Sequence, residues 1–179
     1  MPIIKTVRGF TPLFGKNIYL ADNATIIGDV IMGEDCSVWF QTVIRGDVNA
    51  IRIGNRVNIQ DGAVIHCTYE KAMTTIGDDV SIGHRAIVHG CTIHDRALIG
   101  MGAIVMDNAV VSSGCLVAAG AVILENSILE SGAIYAGVPA KKVKELSKEQ
   151  FDFFITRTAK NYMMYADWFR DIDEFIPTH

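Results

Sequence analysis

Bulky aliphatic residues recur at every sixth position through most of this chain. From Ile93 the series runs Ile93, Ile99, Val105, Val111, Val117, Ile123, Leu129 and Tyr135. Four places after each of the first seven stands a small residue: Ala97, Ala103, Ala109, Cys115, Ala121, Ser127 and Ala133. The same grammar appears at Leu20, Ile26, Met32, Val38 and Ile44, at Ile53, Ile59 and Ile65, and at Ile76, Ile82 and Val88, with three phase shifts between the blocks. A helix requires apolar spacings of three and four, and an amphipathic strand alternates along its whole length. A six-residue unit with one bulky and one small residue turned inward predicts instead a parallel β-solenoid, the small residue sitting where the chain turns a crowded corner. The repeat predicts a solenoid over residues 1–145, ending where Pro139 interrupts the ladder. Ser147 and Gln150 then read as a capping box that opens a helix. Phe151, Phe154, Ile155, Thr158, Tyr162 and Tyr165 recur at helical spacing, so residues 146–179 are expected to lie back along the solenoid as a packing element.

The repeat converts spacing into geometry. His66 and His89 each follow a hexad start, and Ile65 is separated from Val88 by three hexads and five extra residues, so the two histidines should stack on consecutive coils. His84 takes the third place of the Ile82 hexad, on a different side, and points away from them within one chain. Asp61 takes the third place of the Ile59 hexad one coil earlier, beside His84, with Gln60 adjacent. Arg45 follows Ile44 and falls in the His66/His89 column if three extra residues precede Ile53. A lone chain therefore cannot bring the three histidines together. In a cyclic trimer one subunit's His66 and His89 can face its neighbour's His84, with an Arg45–Asp61 pair across the interface in bidentate geometry.

Composition narrows the possibilities. At 179 residues the chain suits one domain with an appendage. A net charge of −4 gives no electrostatic footprint for nucleic acid. No apolar run reaches the roughly 18 residues that span a bilayer, and residues 1–15 lack a signal-peptide pattern, so a soluble, cytoplasmic protein with no membrane partner is expected. Cys36, Cys67, Cys91 and Cys115 show no CxxC spacing and read as core residues, although Cys67 and Cys91 flank the histidines, where sulfur ligation is chemically reasonable. His94 and His179 read as surface and tail.

The units at 76–81 (I-G-D-D-V-S) and 53–58 (I-G-N-R-V-N) resemble the hexapeptide repeat of left-handed β-helix proteins, which implies three hexads per coil and about six or seven coils. Together with V-I-R-G-D at 43–47, N-I-Q-D-G at 58–62 and the three histidines, the chain resembles the gamma-class carbonic anhydrases over nearly its whole length. That resemblance implies a mainly-β protein, a left-handed parallel β-helix with a C-terminal α-helix, assembled as a homotrimer. It also implies that His66, His84 and His89 hold Zn2+, with Co2+ or Fe2+ able to occupy the same ligands. Arg45, Asp47, Gln60 and Asp61 would support the site, and Asn161 is similar to an asparagine that some members direct into it. The implied reaction is reversible hydration of carbon dioxide to bicarbonate, by hydroxide drawn from zinc-bound water with a pKa near 7. Gln60 would orient hydroxide or substrate, while Asp47 and Asp61 would fix ligand and arginine geometry. The best-known members carry a glutamate after the aspartate of R-G-D and a long acidic loop between the first two histidines. This chain has Val48 and a short loop whose only acid is Glu70. The difference leaves open a metal-dependent acyl or thioester hydrolase, an acyl-CoA-dependent acyltransferase with a lone histidine base, and an assembly subunit without turnover.

Overall fold

Most hexads fold into a two- or three-residue strand followed by a tight turn, and the strands stack into a left-handed parallel β-helix with a C-terminal helix. The computed structural model describes residues 1–170; residues 171–179, including His179 and the end of the expected C-terminal element, lie outside the described residues. The turns explain the repeat. From Arg96 onward, the fourth place of each hexad (Arg96, Gly102, Asn108, Gly114, Gly120, Asn126, Gly132) adopts φ between 54° and 71°. Glycine and asparagine enter that left-handed region readily. The first and fifth places then face inward, so Ile93 and Ala97, Ile99 and Ala103, Val105 and Ala109 are all buried.

The prism has three sides. The first carries the strands Val43–Ile53 (in its N-terminal part), Val64–His66, Ile87–His89, Ile104–Val105 and Val122–Ile123. The second stacks seven parallel strands, from Tyr19–Leu20 through Ser81–Ile82 to Ala133–Gly137. The third carries Thr74–Ile76, Thr92–Ile93, Val110–Val111 and Ile128–Leu129. Ile65 pairs with Val88 rather than with a residue eighteen places on, because a loop closed by a Thr68–Ala72 bridge absorbs the surplus. The loop leaves the register of the strands intact on both sides. An antiparallel hairpin, Ala133–Gly137 with Ala140–Glu145, covers the last edge of the second side. Covering an edge removes an open template for strand addition.

The C-terminal helix starts at the expected capping box, with the Ser147 side chain accepting from Gln150 N and the Gln150 side chain accepting from Ser147 N. It is not a uniform α-helix. Lys148–Phe151 is α, Asp152–Thr156 is a π-turn, and Arg157–Arg170 is α again. The extra residue per turn shifts the phase, so Ile155, Ala159 and Ala166 are buried while Phe154 stays exposed. The helix lies along the second side, where the Trp39 ring sits 5.4 Å from Tyr162 and 5.3 Å from Phe169. No helix among the described residues is long and apolar enough to cross a membrane.

The hexad phase makes a paired prediction. Ile99 faces inward and is fully buried, whereas Ile128 is 77% exposed. Ile99→Ala should cost about 2–5 kcal/mol, and Ile128→Ala no more than about 0.5 kcal/mol. Urea denaturation of both variants checks this.

Candidate metal centre

His66 and His89 stand together because their strands pair in register, His89 opposite His66. With Ile65 and Val88 turned inward, strand alternation turns the following residue outward. The two imidazoles approach with His66 Nδ1 3.1 Å from His89 Nε2. Buried Thr74 ties the strand ends together, its hydroxyl donating to the His66 carbonyl at 2.6 Å and accepting from Gly90 N at 3.0 Å. Asp47 reaches the pair from the coil beneath, its Oδ1 3.0 Å from His66 Nε2 and its Oδ2 2.5 Å from Arg45 Nη1. The intervening glycine is required there, since a Cβ on Gly46 would lie 2.5 Å from the Asp29 carbonyl oxygen.

His84 occupies the corner between the second and first sides. Its Nδ1 lies 2.8 Å from Asp61 Oδ2. Its backbone N–H donates to Gln60 Oε1 at 3.2 Å, while Gln60 Nε2 donates to Asn58 Oδ1 at 3.0 Å. Gln60 is buried, with both ends of its amide engaged in holding this corner. The Tyr162 hydroxyl lies 3.3 Å from His84 Nε2.

The expected residues therefore form two groups: Arg45, Asp47, His66 and His89 at one edge of the first side, and Gln60, Asp61 and His84 at the other. Among the described residues no three metal-capable side chains of the single chain converge, as the hexad count predicts. Arg45 pairs within the chain with Asp47, and the expected Arg45–Asp61 contact requires a second subunit. Asn161 is half-buried beside Tyr162 and makes no side-chain hydrogen bond among the described residues. Sequence reasoning missed Asp107, a buried carboxylate whose Oδ1 is 2.6 Å from His89 Nδ1 and whose Oδ2 accepts from the Thr68 hydroxyl at 2.5 Å. The hexad count held the signal, because Val105 stacks on Val88 and the third place of its hexad adjoins His89. Tyr162 was visible only as one member of an aromatic stripe.

Proton placement follows from these partners. A carboxylate can only accept, so the hydrogen sits on His66 Nε2, His89 Nδ1 and His84 Nδ1. That leaves His66 Nδ1, His89 Nε2 and His84 Nε2 as the remaining lone pairs, the last of them facing the Tyr162 hydroxyl. The first two face each other at 3.1 Å and require a shared proton or a metal ion between them. Two nitrogens that bind one tetrahedral zinc at about 2.0–2.1 Å lie roughly 3.3 Å apart, so the observed spacing fits. Burial pushes the His66 imidazole below the ordinary histidine value, against the hydrogen bond it donates to Asp47, and so favours the neutral ligand form. For Asp47 and Asp107, burial alone would raise the carboxyl. Hydrogen bonds from His66 and Arg45 to the one, and from Thr68 and His89 to the other, bring both below the usual range. Burial pushes the Cys67 thiol up and the Cys91 thiol to about 12, which makes both poor thiolate ligands. Burial and Asp61 hold the Tyr162 phenol at about 12, so it donates to His84 Nε2. Three imidazoles, each with one nitrogen hydrogen-bonded to a carboxylate, suit zinc or a similar divalent ion.

The chain resembles known proteins in sequence and in fold. Residues 73–107 match the family model "Bacterial transferase hexapeptide (six repeats)". The chain is 43% identical to a carbonic anhydrase of Geobacillus kaustophilus, covering 96% of this chain and 93% of that protein. It is 40% identical to the mitochondrial gamma carbonic anhydrase 2 of Arabidopsis thaliana, covering 87% of this chain but only 58% of that longer protein. A Bacillus cereus crystal structure, described provisionally as an acetyltransferase, superposes with a TM-score of 0.92 at 34% identity, covering 96% of this chain and 99% of that one.

The depressed His66 and Asp47 values set a pH dependence. An unfolded histidine takes up a proton near 6.5, which folded His66 resists. The unfolded state thus binds more protons as pH falls. Metal-free protein should hold its full stability above about pH 6.5 and lose it as pH falls below that, with a further loss in the carboxylate range from Asp47. Denaturation midpoints from pH 7.5 to 4.5 check this, and His66→Gln should flatten the upper part of the profile.

Proposed function

This chain belongs to the gamma-class carbonic anhydrase family of hexapeptide-repeat proteins, and from that premise we propose that it is a zinc-dependent lyase of the carbonate dehydratase type, hydrating carbon dioxide reversibly to bicarbonate at the interfaces of a homotrimer. One observation carries this reading. Each of three imidazoles has one nitrogen held by its own aspartate, and the three are divided between the two edges of a single prism side. The chain enters that side at His84 and leaves it at His89, so a threefold ring places the leaving edge of one subunit against the entering edge of the next. Such a heterologous contact closes into a ring when its rotation is threefold. Between the two edges runs an outward apolar column, Val43, Val64, Ile87, Ile104 and Val122, in continuous register. Burying that column against other subunits supplies a hydrophobic drive for assembly.

His66 and His89 of one subunit with His84 of its neighbour would hold the ion. A bound zinc there supplies Lewis acidity and brings the pKa of water to near 7. The protein's own residues set the conditions for that chemistry. Asp47, Asp61 and Asp107 orient the three imidazoles, each accepting from one ring nitrogen and leaving the other for the ion. Gln60 holds the His84 backbone, and Arg45 keeps Asp47 charged and oriented. Tyr162 donates to His84 Nε2 in the single chain, so an ion held there would replace that hydrogen bond. The four buried free thiols suit a reducing, cytoplasmic setting.

A second reading has its own observation. A cavity of about 550 Å3 lies between the C-terminal helix and the second side, walled by Leu98, Leu116, Ile134 and Phe154 and ending at Gln60 and His84. Its size and apolar walls suit an acyl group, which keeps metal-dependent acyl or thioester hydrolysis as the alternative substrate class.

Stopped-flow hydration assays on metal-loaded protein test the main reading, together with elemental analysis and oligomer mass. One zinc per chain in a trimer is expected, with hydration above background that His89→Ala abolishes. Background rates in wild type and variant alike would sink it, and hydrolysis of short acyl thioesters blocked by Leu116→Trp would favour the alternative.

A further inference from the structure

In the hexads from Ile93 onward the third place is a surface position, Ser113 being partly exposed, and Asp107 is the one buried departure. Asp95, Met101, Ala119, Glu125 and Ser131 all hold that place and are all exposed, while Asp107 is only 7% exposed. Two features of the chain bury it. The loop between Cys67 and Thr74 folds over the corner, with Thr68 donating to Asp107 Oδ2 at 2.5 Å and the Lys71 amino group 3.9 Å away. Gly90 leaves the space, since a Cβ there would lie 2.5 Å from Asp107 Oδ1, and the residue's φ of +54° disfavours any side chain.

A buried carboxylate costs stability unless its oxygens are satisfied. Here both are, and the partner on Oδ1 is His89 Nδ1 at 2.6 Å. We propose that Asp107 is a positioning residue for the metal centre, holding His89 as the Nδ1–H tautomer with Nε2 turned toward His66. The role rests on the reading of His66, His84 and His89 as metal ligands, and it completes a pattern in which each ligand histidine has a dedicated aspartate. It also gives the short loop a task, because Thr68 orients the carboxylate that orients His89. A carboxylate that accepts from the far nitrogen of a ligand imidazole fixes the ring and raises its basicity, and losing such a partner typically costs 10–100-fold in metal affinity.

The test uses the full chain in its assembled form. Zinc affinity is measured by chelator competition, and cobalt(II) titration is followed by its visible absorption, for wild type, Asp107→Leu, Asp107→Asn and Thr68→Val. Oligomer mass and circular dichroism report folding. Asp107→Leu should lose roughly 10–100-fold in zinc affinity and show an altered cobalt spectrum. Asp107→Asn keeps an oxygen that can accept from His89 Nδ1 and should recover part of that loss, while Thr68→Val should show a smaller one. Nitrogen-15 correlation spectra should show His89 as the Nδ1–H tautomer in the metal-free wild type and not in Asp107→Leu. If the leucine variant fails to fold, the asparagine and valine variants carry the same comparison. Folded variants that match wild type in affinity and spectrum would overturn the role of Asp107 alone. A wild type that binds no metal would overturn the metal reading, and this role with it.

Discussion

Everything in this protein depends on the register between parallel coils. Most strands are only two or three residues long, so few strand pairings are stable by themselves; the stack holds because every inward place meets an inward place above and below it. A one-residue slip would turn Ile65 or Val88 outward and a histidine into the core. The fold therefore confines its irregularities to corners. The surplus residues after Cys67 leave the ladder as a closed loop, and the strands on either side resume with Ile65 facing Val88 and Ile53 facing Ile76. Because that surplus is fully excluded from the ladder, His66 and His89 coincide in space although they lie twenty-three residues apart. The histidine pair is thus positioned by the same constraint that packs the core.

On this scaffold a second layer of order comes from carboxylates. An outward imidazole on a strand is free to rotate, and the register fixes its Cβ but not its ring. Asp47, Asp61 and Asp107 supply the missing restraint, and each does so from a neighbouring coil. In the gamma-class reading, the same division is why a three-histidine site would need more than one copy of the chain. The prism keeps His84 at one edge of the first side and His66 with His89 at the other, too rigidly for one subunit to fold the edges together. Rigidity within the subunit leaves assembly as the route by which the three nitrogens can meet.

Much of this was legible in the sequence, and the limits have physical causes. The hexad count located the solenoid, the His66/His89 column and the His84–Asp61 neighbourhood, because period and place number map directly onto side and height. It did not reveal that Arg45 turns to Asp47 within the chain, since residues two apart on a strand sit on one face and either partner was geometrically open. Asp107 escaped because its place in the hexad is normally exposed, and its burial depends on a loop whose path the period does not describe. Tyr162 escaped for a related reason. The helix was legible from its capping box and aromatic spacing, but the π-turn at Asp152–Thr156 shifts the downstream phase, and only the packed helix shows which aromatic ring meets His84.

The loop between the first two histidines looks impoverished beside its acidic counterpart in the best-known members of the family, but its geometry assigns it a different duty. It is closed on itself by the Thr68–Ala72 bridge and pinned by Asn49, whose amide donates to the Thr68 carbonyl. Its lysine lies near Asp107 and Glu125, and its single acid, Glu70, sits exposed at a turn with left-handed backbone. A loop so short and so tied cannot swing an acid between the site and solvent. It can hold a carboxylate still. In the gamma-class reading, the chain has exchanged a carrier of protons for a rigid brace on one metal ligand. Such a change would favour tight ion binding over rapid proton export, and it moves the burden of export to groups outside this loop or to solution buffer.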